Sequence, residues 1–248
     1  LKKKLKLFTL KNKYFQILSH NYKNEAQILK IKHENLIHEI RVNLVGKIQL
    51  KNILMAVIAA SKSNLDLKKI FSVIPRLSPV EGRFEKVGKI KNKSLVFLDY
   101  AHTPDALQTC ILNIREQFPD KHISVLFGCG GDRDKGKRSK MGKIADKYAD
   151  KIYLTDDNPR HERPKKIRDE IKRGIKKRQI IEISNRKEAI VKAINNLNTG
   201  DILIVAGKGH EKIQQIGNRK VFLSDRQIIL NSIKKKNFNL SKNLKLNI

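Results

Sequence analysis

Most of this chain is predicted to be an α/β protein built on a doubly wound, mostly parallel sheet, and three observations predict it. Beyond about residue 80, short apolar runs alternate with longer helical segments, the pattern of right-handed βαβ units. Segments rich in Gly, Asp, His and Arg fall where four of these runs end, as expected when ligand-binding loops gather at the carboxyl edge of a parallel sheet. With 248 residues, 40% of them hydrophobic, the chain is long enough for one large core or two modest ones.

The elements follow in order. Residues 1 to about 45 carry short apolar runs, such as Tyr14 to Leu18 and Leu36 to Val45, which read as strands. Asn52 to Ser61 is an apolar helix carrying Ile53, Leu54, Val57 and Ile58, and Asp66 caps a second helix running through Val73. Pro75, Pro79 and Gly82 then break the pattern, which puts a domain boundary near residue 80. Past it come a strand at Ser94–Asp99, a helix at Pro104–Gln117, a strand at His122–Phe127, a helix at Met141–Tyr148 and a strand at Lys151–Thr155. A helix at Pro164–Lys176, a strand at Gln179–Ile183, a helix at Arg186–Asn196 and a strand at Asp201–Val205 continue the alternation. Gly217-Asn218 is the turn of a hairpin joining Ile213–Ile216 to Lys220–Leu223. Ser224 caps a last helix to about Lys235, and residues 236–248 form a frayed Lys/Asn-rich tail. The domains expected are therefore 1–80, 81–235 and the tail.

Lys plus Arg number 54 against 24 acids, a formal charge of +30. Such a charge ordinarily points to nucleic acid or an anionic membrane. Here Lys is spread over strands, helices and loops alike, Trp is absent, and aromatics make up only 6%, so basic and aromatic residues do not interleave as base stacking needs. A general Lys-rich surface is the simpler reading, and neither a nucleic-acid nor a membrane partner is expected. Cys110 and Cys129 have no metal-ligand spacing and cannot form a disulfide framework, which fits a reducing, cytoplasmic setting. No apolar run approaches a membrane span, and the opening Leu1 to Leu7 has no signal-peptide core. The first residue is Leu and the first segments begin mid-pattern, so the chain is expected to belong to a longer one.

The four loaded loops carry the chemistry. They are Asp99 to Pro104, Gly128 to Asp134, Asp156-Asp157-Asn158-Pro159-Arg160, and Ala206 to Glu211. Asp, Asn and Pro make ordinary turns, yet an Arg fork beside acids also suits a zwitterion, with guanidinium on its carboxylate and carboxylate on its ammonium. Pro159 fixes its own φ and biases Asn158 toward extended backbone. His102, beside Asp99 and Tyr100, reads either as an edge histidine or as part of a nucleotide or phosphate site. Gly131, Gly136 and Lys137 imitate a phosphate-binding loop, but Arg138 stands where a hydroxyl is needed for magnesium, and Arg133 replaces the third Gly of a dinucleotide fingerprint. In the last loop Gly207 and Gly209 permit close backbone approach, Glu211 suits an ammonium, and Lys208 is read as solvated.

Five ordered motifs, Gly82-Arg83-Phe84-Glu85, Asp99 to Leu107, Gly128 to Gly142, Asp157 to Arg160 and Gly207 to Glu211, resemble the C-terminal half of a Mur ligase. Within that family the resemblance is to members that add meso-diaminopimelate. It implies that residues 1–80 are the end of a central ATP-binding domain and that 81–235 form the C-terminal Rossmann-like domain. The implied reaction belongs to peptidoglycan precursor synthesis. ATP phosphorylates the γ-carboxylate of UDP-N-acetylmuramoyl-L-alanyl-D-glutamate, and the diaminopimelate amine attacks the acyl phosphate. The family pattern assigns Arg138, Asp157, Asn158, Pro159, Arg160, Gly207 and Glu211 to diaminopimelate, with Arg160 on its distal carboxylate. It assigns Asn52 to adenine, and Arg83, Asp99, Tyr100 and His102 to the phosphates or ribose of ATP.

Gln49 stands where the family often has Asn, and Ser139 where Pro commonly follows the Lys-Arg pair. The family's phosphate-binding loop and its magnesium ligands, a modified lysine and acids, are not in this chain. No metal site is expected here and no catalytic residue is assigned, and the 248 residues alone are expected to bind the acceptor, as a monomer, without ligating it. A lysine-adding sibling would share the fold, but such relatives usually lack the Arg that Arg160 matches; folate polyglutamylating relatives fit the Gly207 to Glu211 motif poorly. A basic nucleic-acid-binding module is the alternative of a different class.

Overall fold

The computed structural model describes residues 15–246. Tyr14 of the first expected strand, the Leu1 to Leu7 opening and the last residues of the tail lie outside the described residues. The chain divides into two compact units, one ending at Pro79 and the other beginning at Val80.

In the first unit, β1 (Gln16–Lys23), β2 (Ala26–His33) and β3 (Leu36–Val42) form an antiparallel meander, followed by α1 (Lys47–Lys62), α2 (Leu67–Val73) and a 3-10 turn at Ile74–Arg76. The sequence reading did not mark β2, whose strict alternation buries Leu29 and Ile31 while Lys30 and Lys32 point outward. These residues pack with Ile40, Leu54, Val57 and Ile58 in the unit's core. Helix α1 starts before Asn52 because buried Gln27 gives its amide to the Leu44 and Gly46 carbonyls, at 2.7 and 3.1 Å, and so fixes the approach to the helix. Asp66 caps α2 by accepting from Lys69 N at 2.9 Å.

The second unit is a six-stranded sheet. Its elements are β4 (Glu85–Lys89), β5 (Leu95–Asp99), α3 (Pro104–Gln117), β6 (Ile123–Phe127), α4 (Gly136–Tyr148), β7 (Lys151–Leu154), α5 (Pro164–Lys172), β8 (Ile180–Glu182), α6 (Arg186–Asn195) and β9 (Ile202–Ala206). A hairpin of β10 (Ile213–Ile216) and β11 (Arg219–Phe222) and the helix α7 (Asp225–Leu246) complete it. The strand order is β4-β5-β9-β6-β7-β8, with β5 through β8 mutually parallel and β4 antiparallel at the edge. Helices α3, α4 and α5 pack in series, and α6 packs on α7. Val96, Leu98, Leu126, Tyr153, Leu203 and Val205 face α6 and α7, whose Ile190, Ile194, Ile229 and Ile233 meet them. Alternation sends Phe97, Val125, Phe127 and Ile204 to the opposite face, and all four are fully buried.

Four elements differ from the sequence reading, among them helix α5, which ends at Lys172 rather than Lys176, with Gly174 N turned onto the Ile171 carbonyl at 3.0 Å. Strand β4 was not marked, because its solvent side is Lys-rich and it lies at an edge. Helix α4 begins at Gly136 rather than Met141, where the Asp134 side chain accepts from Gly136 N at 2.7 Å. Helix α7 continues past Lys235, since Leu240 packs against the core and Asn237 accepts from Lys91 N at 2.8 Å. At its start Ser224 Oγ accepts from Gln227 N at 3.3 Å.

Candidate functional site

Parallel pairing brings the carboxyl ends of β5, β9, β6 and β7 to one edge as neighbours, and the loops leaving them line a cleft of about 410 Å³. Tyr100, His102 and Thr103 come from the β5 loop, and Gly128, Cys129, Gly130, Arg133, Asp134 and Lys137 from the β6 loop and the start of α4. The β7 loop contributes Asp157, Asn158 and Arg160, and the β9 loop Gly207 and Glu211. Cys129 is no nucleophile, since burial pushes its thiol up to about 12.

The two acids of the β7 loop separate. Asp156 turns away to Arg168, which also holds Glu182 at 2.7 Å. Asp157 is buried against the cleft, and burial raises its carboxyl above the usual range although Arg186 and Lys208 oppose the rise. Pro159 is buried with its carbonyl against Gly131, and Arg160 takes a left-handed backbone, φ 49°. That conformation is uncommon for a side chain of this size. Two backbone bonds to the hairpin hold it, Arg160 N to Gln215 O at 3.1 Å and Gly217 N to Arg160 O at 2.6 Å. The Arg160 Nη1 donates to Gly131 O at 2.7 Å, and the guanidinium lines the cleft.

The glycines of the β6 loop serve this contact. A Cβ at Gly131 would lie 1.9 Å from the Pro159 carbonyl, so only glycine lets the loop donate Gly131 N to Asn158 O at 2.8 Å. On the same loop the structure does not bring Arg138 to the cleft. Its side chain is wholly buried, donating to Glu162 at 2.8 and 2.9 Å, to Glu170 at 2.7 Å and to Gly130 O at 3.1 Å. Those bonds hold the Glu162 carboxyl down at about 2. The arginine this loop gives to the cleft is Arg133, with Lys137 beside it donating to His102 O at 2.8 Å. In the sequence Arg133 stands out only as the residue that breaks a dinucleotide fingerprint. The exposed, helix-preceding position of Arg133 was the available signal, against the apolar spacing of Met141 and Ala145 that buries Arg138.

On the β9 loop Lys208 is fully buried rather than solvated, and Glu211 accepts from it at 3.1 Å, from Asn158 Nδ2 at 3.2 Å and from Tyr100 Oη at 3.2 Å. Burial works against the Glu211 charge, yet these donors, Lys208 foremost, hold its carboxyl below the usual range. Gly207 has φ 114°, and a Cβ there would lie 2.7 Å from Asp157 Oδ2. Tyr100 is packed by the Arg83 guanidinium, 4.5 Å from its ring centre, and by the rings of His102 and His210. Its hydroxyl is held up by burial and by Glu211. Asp99 does not line the cleft; its Oδ2 accepts from Phe84 N at 2.6 Å, and burial raises its carboxyl. Asn52 lies exposed on α1, in the other unit, and is not among the residues the cleft gathers.

The sequence profile of the Mur ligase, glutamate ligase domain matches residues 82–209, which contain all but the last of the cleft residues. The chain belongs to the Mur ligase family. It is 42% identical over 215 residues to the UDP-N-acetylmuramoyl-L-alanyl-D-glutamate--2,6-diaminopimelate ligase of Rickettsia felis, covering 86% of this chain and 40% of that one. It is 47% identical over 189 residues to the protein of the same name from Rhizobium meliloti strain 1021, covering 76% and 38%. A solved structure of a ligase of that name is similar at a TM-score of 0.71 and 31% identity, over 90% of this chain and 46% of that one. This Mur ligase chain thus spans less than half the length of the relatives it matches.

Proposed function

We propose that this chain is the acceptor-binding part of an ATP-dependent ligase that joins meso-diaminopimelate to the γ-carboxylate of UDP-N-acetylmuramoyl-L-alanyl-D-glutamate, in the cytoplasm, for peptidoglycan precursors. One observation carries the reading: a single cleft gathers the cations Arg133, Lys137 and Arg160, the carboxylates Asp134, Asp157 and Glu211, and the Asn158 amide. That polarity suits an amino acid with two carboxylates and two ammonium groups. The names of the relatives support the same acceptor.

In this reading Arg160 and Arg133 grip the distal carboxylate, Glu211 and Asp157 hold the ammonium beside it, and Gly207 lets the ligand approach the backbone. Arg138 is released from the acceptor set and supports the loop instead. The reacting amine, once deprotonated, attacks the acyl carbon of the γ-glutamyl phosphate; the C–N bond forms, the C–O bond to phosphate breaks, and phosphate departs. The cleft contributes position and a fixed charge pattern to that step. For ATP, Arg83, Tyr100 and His102 form a stacked aromatic and cationic group beside the cleft that suits a nucleotide's phosphates or ribose. Asp99, engaged by Phe84 N, supports that group, and Asn52 is kept for adenine. Among the described residues no cluster of three or more His, Cys, Asp or Glu side chains is assembled that suits magnesium.

Calorimetric titration of the 248-residue chain with meso-diaminopimelate and with L-lysine tests the reading. Diaminopimelate is expected to bind the more tightly, and Arg160→Ala to remove about 2–5 kcal/mol, roughly thirtyfold or more in Kd. Equal affinity for both amino acids, or an Arg160→Ala chain that binds unchanged, would discard it.

A further inference from the structure

Lys208 is the least expected residue of the site. It lies one residue after Gly207, yet its side chain is wholly buried and does not line the cleft. An ammonium has three protons, and here three acceptors receive them: Asn158 Oδ1 at 3.1 Å, Glu211 Oε2 at 3.1 Å and the Ile213 carbonyl at 2.6 Å. The acceptors belong to three separate segments, the β7 loop, the β9 loop and the first strand of the hairpin.

Two consequences follow for groups that do line the cleft. Asn158 Oδ1 also accepts from Gln215 N at 3.0 Å, so two donors converge on one atom of the amide and identify it as the oxygen. The amide then cannot turn over without setting N–H against both donors. Its Nδ2 is directed to Glu211 Oε2 at 3.2 Å, and Asn158 therefore meets the cleft as a donor, suited to a carboxylate. Glu211 has its Oε2 filled by Lys208 and Asn158, while Oε1 accepts only the Tyr100 hydroxyl among the bonds described, at 3.2 Å, which keeps a lone pair for a ligand cation.

We propose that Lys208 is a positioning residue of the acceptor cleft: its buried ammonium locks Asn158 donor-outward and turns one oxygen of Glu211 toward the ligand, so that a residue without ligand contact sets which end of the amino acid binds where. This rests on the reading of the cleft as the acceptor site.

The test compares the chain with its Lys208→Met variant, which keeps the length of the side chain and removes the charge. In the ¹⁵N-labelled chain the Lys208 ζ-protons are expected to exchange with water far more slowly than those of surface lysines. The Asn158 side-chain amide is expected to give a single sharp pair of resonances that shifts or averages in Lys208→Met while the backbone resonances of the sheet persist. Affinity for meso-diaminopimelate is expected to fall about tenfold or more, the order seen when a group that orients a ligand-binding side chain is removed. Lys208 ζ-protons exchanging at the surface rate would overturn the proposal, and this measurement needs no variant to fold. So would an Asn158 amide or a diaminopimelate affinity left unchanged by Lys208→Met. A wild-type chain that fails to bind diaminopimelate would instead overturn the acceptor reading, and the two resonance measurements would still decide the role of Lys208.

Discussion

Arg133 and Arg138 flank the same turn at the head of α4 and meet opposite fates. Arg138 is wholly buried and closed by Glu162, Glu170 and the Gly130 carbonyl, whereas Arg133 is exposed and lines the cleft. The acids divide the same way. Glu162, paired by Arg138, is held down at about 2, while Asp157, buried against the cleft, is raised. Arg138 and Glu162 pair with each other inside the fold, whereas among the bonds described the Arg133 and Asp157 side chains have no such partner and line the cleft.

Breaking the closed pair gives the largest expected effect. Arg138→Met leaves two part-buried acids facing a hydrophobic side chain and is expected to cost about 3–5 kcal/mol in urea unfolding, because several charge-assisted hydrogen bonds, each worth about 1.5–3 kcal/mol, are lost together. Arg133→Ala is expected to change stability by less than about 0.5 kcal/mol and to weaken diaminopimelate binding instead. The comparison collapses if the two variants exchange these outcomes.

Next in size is Gly131→Ala, whose Cβ would stand 1.9 Å from the Pro159 carbonyl. A displacement of the Asp157 to Arg160 loop follows, with a stability loss of about 1–3 kcal/mol, the usual range for forcing atoms into a packed site. Diaminopimelate affinity should fall with it. An unaltered affinity would separate the glycine's packing role from the geometry of Arg160.

A smaller effect, but one of opposite sign on the two sides of the comparison, comes from pH. The folded pKa of Glu162 is depressed, so its stabilisation is present above the unfolded carboxylate value and is lost as pH falls toward about 2. The folded pKa of Asp157 is raised by burial, so its contribution is fully present below the unfolded value and is lost as pH rises through the folded one. Asp157→Asn should therefore raise the thermal midpoint at neutral pH while weakening acceptor binding, and Glu162→Gln should lower it. A neutral-pH destabilisation by Asp157→Asn would show that this carboxylate is satisfied after all.

The smallest effect belongs to an exposed clamp beside Arg160. His161 Nδ1 meets Asp132 Oδ2 at 2.8 Å and its Nε2 meets Asn218 Oδ1 at 3.0 Å, tying the β6 loop and the hairpin turn to the Arg160 loop. Its bonds to Asn218 and then Asp132 raise its pKa, so the clamp is complete below the ordinary histidine value and loosens as pH rises through the raised one. The ring resonances of His161 should titrate above the usual midpoint of about 6.5. A midpoint at or below that value removes the clamp.

The fold was legible where periodicity was strong. Strands β5, β6, β7 and β9 are apolar runs that alternate with helices, and the sequence expects their loaded loops on one edge, where all four line the cleft. Strands β2 and β4 went unmarked because alternating Lys hides a half-buried strand in a Lys-rich chain. In the site, Asn158, Arg160, Gly207 and Glu211 were named from their motifs and do line the cleft. Arg138 was named and Arg133 passed over, since both lie in one basic stretch and only the burial of the helix's inner face distinguishes them.

The alternation of elements, the family and the four loops at which chemistry is concentrated follow from residue pattern and chain order alone. Which charges are paired inside the fold and which face the cleft depends on contacts between segments far apart in the chain. Arg138 and Lys208 are closed by acceptors brought from distant segments, while Arg133, Arg160 and Asp157 face the cleft. A side chain's charge is written in the sequence, but its solvation and its partners are set by what packs against it.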